Sequence, residues 1–307
     1  MKMSNTKPTF QPSSVDARDS AFAETQQVTH DRSIGEIISQ ANNLSAEQIQ
    51  QILEYQKTHS VRFGEAAVAI GLANSDDVLW ALAQQFHYPY AAEQTSRLPA
   101  ELVVATKPFS MQAEAFRTMR SHMIMRMYSD NGPRSALAVV SPESGDGKTY
   151  FAANLAAAFS QLSGRTLLID ADMRNPRLHD IFGLQGKSVG LSSILSGRSA
   201  GNVVCPIKEL PSLFVLPVGP TPPNPLELLE RPAFGLLIRE LLTKFDQVIV
   251  DTPAASLGSD YAVISARCGA AVVIARENQS RMYAMQDLLS TVSMGPTKLV
   301  GSVMNEF

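Results

Sequence analysis

Ser141-Pro-Glu-Ser-Gly-Asp-Gly-Lys-Thr149 is the stretch on which the reading of this 307-residue chain turns. It follows an apolar run at 136–140 and leads into a helical stretch expected over 148–162. A strand, a glycine-rich loop and a helix in that order form a phosphate-binding loop. Gly145 and Gly147 let the backbone curl so that successive N–H groups converge, and the helix adds its positive N-terminal end. Lys148 is suited to the β- and γ-phosphates as a point charge, and the Thr149 hydroxyl to a magnesium ion. Ser144, Asp146 and Tyr150 complete the expected nucleotide contacts. The strict pattern has glycine at 142, where this chain has Pro142, so the loop is a variant. A bare strand-to-helix turn is the competing explanation of the segment.

Working outward, two further segments end apolar runs in acids. Thr166-Leu-Leu-Ile-Asp170-Ala-Asp172-Met-Arg174 places two carboxylates after one run, and Val248-Ile-Val-Asp251-Thr-Pro253 places a third after another. A lone aspartate there is often only a turn or helix cap, but three acidic ends beside a P-loop argue for a metal-nucleotide site. Strand-length runs at 136–140, 166–169, 213–216, 247–250, 270–274 and 298–304 alternate with helical stretches such as 111–127, 225–243 and 280–293. The expected fold is therefore α/β: a P-loop NTPase with a mostly parallel, doubly wound sheet, plus a small, mainly helical N-terminal domain. Ligands in such sheets bind outside the carboxyl ends of the strands.

The domain organisation expected is a disordered tail over 1–30, a helical domain over 31–91, a linker over 92–108 and the nucleotide-binding domain over 109–307. Residues 1–30 are rich in Ser, Thr, Gln, Asp and Pro, and Gln94, Ser96, Pro99 and Pro108 mark the linker. An internal repeat lies between: Ile34-Gly35, Ile38, Ile49, Leu53 and Gln56 recur, 29 residues on, as Phe63-Gly64, Ala67, Val78, Leu82 and Gln85. A net charge of −3 argues against a nucleic-acid partner. Cys205 and Cys268 are far apart and read as reduced thiols. No signal-peptide pattern and no run of transmembrane length is visible, so a cytoplasmic protein is expected, peripheral to the inner membrane through a partner.

An apolar triplet before Asp170-x-Asp172-x-Arg174 and another before Asp251-x-Pro253 resemble the second and third nucleotide-site motifs of the bacterial tyrosine kinases. Gly190-Leu-Ser-Ser-Ile-Leu-Ser-Gly197 and Pro222-Pro-Asn224-Pro-Leu-Glu227-Leu-Leu229 are similar to that family too. The resemblance covers roughly 110–307 and is greatest to EpsG-type chain-length-determinant kinases of exopolysaccharide clusters. It implies ATP and Mg²⁺ as cofactors, with Lys148 on the phosphates and Thr149, Asp172 and Asp251 on the metal. Asp170 would accept the tyrosine proton, and Asn305 would read the adenine edge. Arg174 would either stabilise the transferring charge or pair with an acid.

Glu114-Ala-Phe-Arg117-Thr-Met-Arg120 carries charges spaced by three along one helix side. Such a pattern is either a solvated face or, by the same resemblance, a self-assembly motif that makes the protein a homo-oligomer. The implied partner is a transmembrane chain-length-determinant protein. The family's usual C-terminal tyrosine cluster is not seen before Phe307; the tyrosines are 55, 88, 90, 128, 150, 261 and 283. The expectation is then phosphorylation of other proteins, phosphorylation of an internal tyrosine, or ATPase activity alone.

The 29-residue repeat resembles the MshEN-type domain of secretion and pilus ATPases, some members of which bind cyclic di-GMP. Arg62, Gly64 and Gln85 of the second copy are the candidate contacts. In the first copy Ser33 stands in the arginine's place and Asn42 in the glycine's. A docking module with a plain apolar core is the alternative. For the whole chain the competing functions are a tyrosine kinase, a MinD/ParA-like ATP-switched scaffold and a cyclic di-GMP-responsive module. The MinD/ParA type places a second lysine five residues before the loop lysine, where this chain has Glu143.

Overall fold

The structure is a computed structural model and describes residues 33–85, 98–127, 134–184, 189–198 and 203–306. The expected tail over 1–30, residues 31–32 and 86–91 of the expected helical domain and residues 92–97 of the expected linker lie outside the described residues. The chain divides into two compact units, Met1–Phe86 and His87–Phe307.

In the first unit the repeat becomes two copies of a short helix followed by a longer one. Ile34–Ala41 and Ala46–His59 form the first copy, Phe63–Ala69 and Ser75–Gln85 the second. Each start is set by local chemistry. The Ser33 hydroxyl accepts from the Glu36 N–H while the Glu36 carboxylate accepts from the Ser33 N–H, and Ser45 and Gln48 do the same. Equivalent positions fill the core: Ile38 and Ala67, and Ile52 and Ala81, are all fully buried. The tight turn after the short helix is made by Gly71 at φ 72° in the second copy and by Asn43 at φ 50° in the first. Asn43, one residue beyond the expected Asn42, thus takes the glycine's place, as asparagine tolerates the left-handed region. Asn42 is the C-cap at φ −99°.

The second unit is built on a seven-stranded sheet. Its strands are β1 (Ala136–Val140), β2 (Thr166–Asp170), β3 (Cys205–Ile207), β4 (Leu210–Leu216), β5 (Gln247–Asp251), β6 (Gly269–Arg276) and β7 (Lys298–Asn305), in the order β3-β4-β2-β5-β1-β6-β7. All pairings are parallel except β3 with β4. Every residue of β1 and β2 is buried, as strands covered by helices on both faces require. Helix Lys148–Ser160 is buried almost all round, which explains its Ala-rich, non-amphipathic sequence. The register sets Asp170 of β2 beside Asp251 of β5.

Three expectations are corrected. The helix expected over 225–243 is two helices, Pro225–Glu230 and Pro232–Lys244. Arg231, at φ −58° and ψ 144°, is held extended by the proline that follows it. Strand β3 was not expected; its exposed Pro206 fits an edge position. The described part of the expected linker, 98–108, is not loose. Helix Val103–Thr106 is wholly buried, and the Asn154 side chain accepts from the Val104 N–H at 3.1 Å and donates to the Glu101 carbonyl at 2.8 Å. The apolar run Leu102-Val-Val-Ala105 explains this, because it contributes to the core beneath helix Met111–Met127.

Candidate nucleotide site

The loop after β1 adopts the curl its glycines permit, with Gly145 at φ 87° and Gly147 at φ 91°. Pro142 is not among the positive-φ residues, so the departure from glycine there costs no strain. The Pro142 carbonyl accepts from the Ser256 N–H, and the Ser141 carbonyl from the Ala255 N–H, which ties the loop to the segment after β5. Asp146 turns inward: one carboxylate oxygen accepts from the Glu143 N–H at 2.8 Å and the other from the Ser280 hydroxyl at 2.8 Å. Asn305, the last residue of β7, donates to the Asp146 carbonyl at 2.8 Å. The loop is thus held from both flanks by side chains of the protein itself.

Lys148 folds back over this loop, donating to the Ser141 hydroxyl at 2.9 Å and the Glu143 carbonyl at 3.4 Å. Burial lowers its pKa, against the raising influence of Asp251, Asp172 and Asp146. The Thr149 hydroxyl donates to Asp251 Oδ2 at 2.7 Å. Burial pushes the Asp251 carboxyl up to about 7, with the Thr149 hydrogen bond and Lys148 opposing and Asp172 adding to the rise. Asp170 is raised well above the carboxylate range, first by burial and then by Asp251.

A magnesium-nucleotide fits these residues. Asp251 Oδ1 is buried with no hydrogen-bond partner in the structure, beside a hydroxyl of a residue type that binds magnesium. The loop's converging amides and Lys148 suit phosphate oxygens.

Ser144, Gly145, Gly147, Lys148, Thr149, Tyr150, Asp172 and Asn305 line a single cleft of about 950 Å³. Asp251 lies behind Thr149. Asp170 is fully buried, its two oxygens accepting from the Asp172 and Leu178 N–H groups at 3.2 and 3.1 Å. Arg174 is not brought to the cleft. Its Nε and Nη2 reach Asp260 Oδ2 at 3.2 and 2.9 Å, so of its two expected roles the structure shows the ion pair with an acid. Burial, and then Glu101, raise the pKa of Tyr150.

Sequence reasoning missed other residues that line the same cleft, Glu101, Phe116, Met119, Asn175 and Arg177. Arg177 and Glu101 pair at 3.3 Å. The signal available was Phe116 and Met119, an i, i+3 apolar pair inside a helix read for its charges. Those charges are largely used within the chain: Arg117 pairs with Glu114 at 2.6 Å and also donates to the Pro108 carbonyl, and Arg120 donates to the Ala158 carbonyl at 2.5 Å. Of the N-terminal candidates, Arg62 is exposed, Gln85 half-buried and Gly64 buried against Val78.

Residues 137–307 match the CobQ/CobB/MinD/ParA nucleotide binding domain. The chain is 35% identical to CapB of Staphylococcus aureus over 67% of its own length and 89% of that protein. It is 31% identical to the tyrosine-protein kinase YwqD of Bacillus subtilis (strain 168) over 68% and 87%. The solved kinase domain of the Escherichia coli tyrosine kinase ETK superposes with a TM-score of 0.64 and 27% identity, covering 70% of this chain and 84% of that one. With these relatives and the site just described, the chain belongs to the CobQ/CobB/MinD/ParA nucleotide-binding family and, within it, to the bacterial tyrosine-protein kinases.

Proposed function

We propose that this protein transfers the γ-phosphoryl group of ATP to tyrosine, in itself or in partner proteins, and thereby regulates polymerisation, chain length and export of an exopolysaccharide. The observation that carries this reading is the single cleft in which Lys148, Thr149 and Asp172 converge with Asp251 directly behind. Phosphoryl transfer depends on positioning and charge neutralisation more than on covalent chemistry. Lys148 and the loop amides hold the β- and γ-phosphates, and release of Lys148 from Ser141 frees its charge for them. Thr149, Asp251 and Asp172 would hold magnesium, which when bound neutralises phosphate charge. Asp172 lines the cleft, and Asp170, the proposed acceptor of the tyrosine proton, lies behind it with both oxygens held by backbone N–H groups. Asn305 borders the cleft where an adenine edge would lie.

A scaffold ATPase of MinD/ParA type is less well supported. Position 143, where such proteins carry the second lysine, holds an acid, Glu143, and so supplies no cation of its own to the phosphates. The partner proposed, from the likeness to the tyrosine-protein kinases, is a membrane-embedded chain-length-determinant protein; among the described residues no helix is long and apolar enough to cross a membrane. Assembly through Glu114, Arg117 and Arg120 is part of the proposal, and alanine at all three should yield monomers in light scattering. For the N-terminal unit the reading is a docking module; cyclic di-GMP binding through the exposed Arg62 would show as heat in titration calorimetry.

The deciding experiment incubates the purified chain with ATP and Mg²⁺ and scores phosphotyrosine, on itself and on a Glu-Tyr copolymer. Lys148→Met and Asp170→Asn are each expected to abolish transfer with the fold retained by circular dichroism. Undiminished transfer by either variant would refute the assignment.

A further inference from the structure

Four tyrosines lie among the described residues, and they differ sharply in how they could serve as phosphate acceptors. Tyr261 is buried, and Tyr55 is half-buried and stacked on His59 with ring centroids 3.9 Å apart. Tyr150 is half-buried in the cleft wall, fixed on the helix that follows the loop. Only Tyr283 among them is exposed, at 64% of its surface. It stands in the first turn of the 12-residue helix Met282–Ser293. Its phenolic oxygen already accepts from Arg281 Nη1 at 3.0 Å. The same arginine's Nε lies 3.9 Å from Glu143 of the loop, and Ser280 donates to Asp146 of that loop.

We propose that Tyr283 is a phosphorylation site, modified in trans by a second copy of this chain, with Arg281 holding the phosphate; this rests on the kinase reading above. The Tyr283 oxygen attacks the γ-phosphorus of ATP bound in the other copy. The bond from γ-phosphorus to the β,γ-bridging oxygen breaks, ADP leaves, and the phenolic proton passes to a carboxylate of that cleft. The product gains roughly two negative charges at a helix N-terminus beside a guanidinium, where both the dipole and the arginine favour them. Arg281 is then drawn toward the phosphate and away from Glu143, from which its Nε lies 3.9 Å in the unmodified chain.

The test mixes the active full-length chain with the Lys148→Met chain, ATP and Mg²⁺, and maps phosphotyrosine on the inactive chain by mass spectrometry. Phosphate on its Tyr283 is expected, and Tyr283→Phe should lose most self-incorporation while phosphorylating a Glu-Tyr copolymer at the wild-type rate. If the copolymer is phosphorylated but the chain is modified elsewhere, at Tyr88, Tyr90 or Tyr128 for example, the site assignment fails and the kinase reading stands. If neither is phosphorylated, both fail. A readout independent of turnover is phosphate retention. A tyrosine phosphatase should strip phospho-Tyr283 roughly fivefold faster from Arg281→Ala than from the wild type, the equivalent of one exposed charge-assisted bond. Equal rates would remove Arg281 from the proposal.

Discussion

The Thr149 hydroxyl donates a 2.7 Å hydrogen bond to Asp251 across 102 residues of sequence, joining the end of the phosphate loop to the end of β5. This bond orients the hydroxyl and one carboxylate oxygen, leaving Asp251 Oδ1 without a partner. Thr149→Ser keeps the donor and should bind nucleotide with magnesium nearly as the wild type does. Thr149→Val removes it and should weaken magnesium-dependent nucleotide affinity by at least about 10-fold, the scale of losing a metal-site polar partner. Titration calorimetry with and without magnesium distinguishes the two, and equal affinity of the valine variant would refute the assignment.

The Asp251 carboxyl, raised by burial from 3.8 to about 7, gives the nucleotide-free protein a pH dependence of definite sign. Between these values the native state binds more protons than the unfolded chain, so stability falls as pH rises through that window. Asp170, raised in the same direction, adds to the slope. Melting temperatures measured in chelator from pH 4 to about pH 8 should decline, and Asp251→Asn should flatten the decline. A wild-type profile that rises over this range would contradict the burial argument.

Asp260 is fully buried and relies on Arg174, whose side chain is 32% exposed. Arg174→Ala strands that carboxylate and should cost about 1–3 kcal/mol in urea denaturation, less than for a wholly buried pair because water reaches the arginine. Asp260→Asn in the same chain should recover most of the loss. No recovery would mean that Arg174 acts on something other than Asp260.

At Gly64 an added Cβ would sit 2.6 Å from Val78 Cγ1, between two helices of the N-terminal unit. Gly64→Ala should destabilise that unit by about 1–3 kcal/mol, seen as faster hydrogen exchange in helix Phe63–Ala69 of the full chain, and Val78→Ala should relieve it. Gly64 then serves packing whether or not a ligand binds nearby. Unchanged exchange in the single variant would overturn this account.

Much of the fold was legible because its signals are local. The apolar runs that became β1, β2, β5, β6 and β7, and the loop from Ser141 to Thr149, each depend on neighbours a few residues apart. Short-range chemistry also set the paired helices of the repeat, through caps such as Ser33 with Glu36. The burial of 98–108 was not legible, since its prolines read as punctuation while its partner, Asn154, lies some 50 residues away.

The residue types of a nucleotide site, Lys148, Thr149, Asp170, Asp172 and Asp251, were thus determined by the sequence alone. Their division of labour was decided only by the tertiary structure. Strand order sets Asp170 beside Asp251 and brings Asn305 to the loop, whereas Arg174 is turned to Asp260. The wall of Glu101, Phe116 and Met119 exists only because a buried segment and a helix from outside the motif are packed against helix Lys148–Ser160. The physical reason is that a motif specifies backbone shape and side-chain chemistry over a few residues. Which oxygen meets water, ligand or another side chain depends on burial and on partners supplied by distant strands.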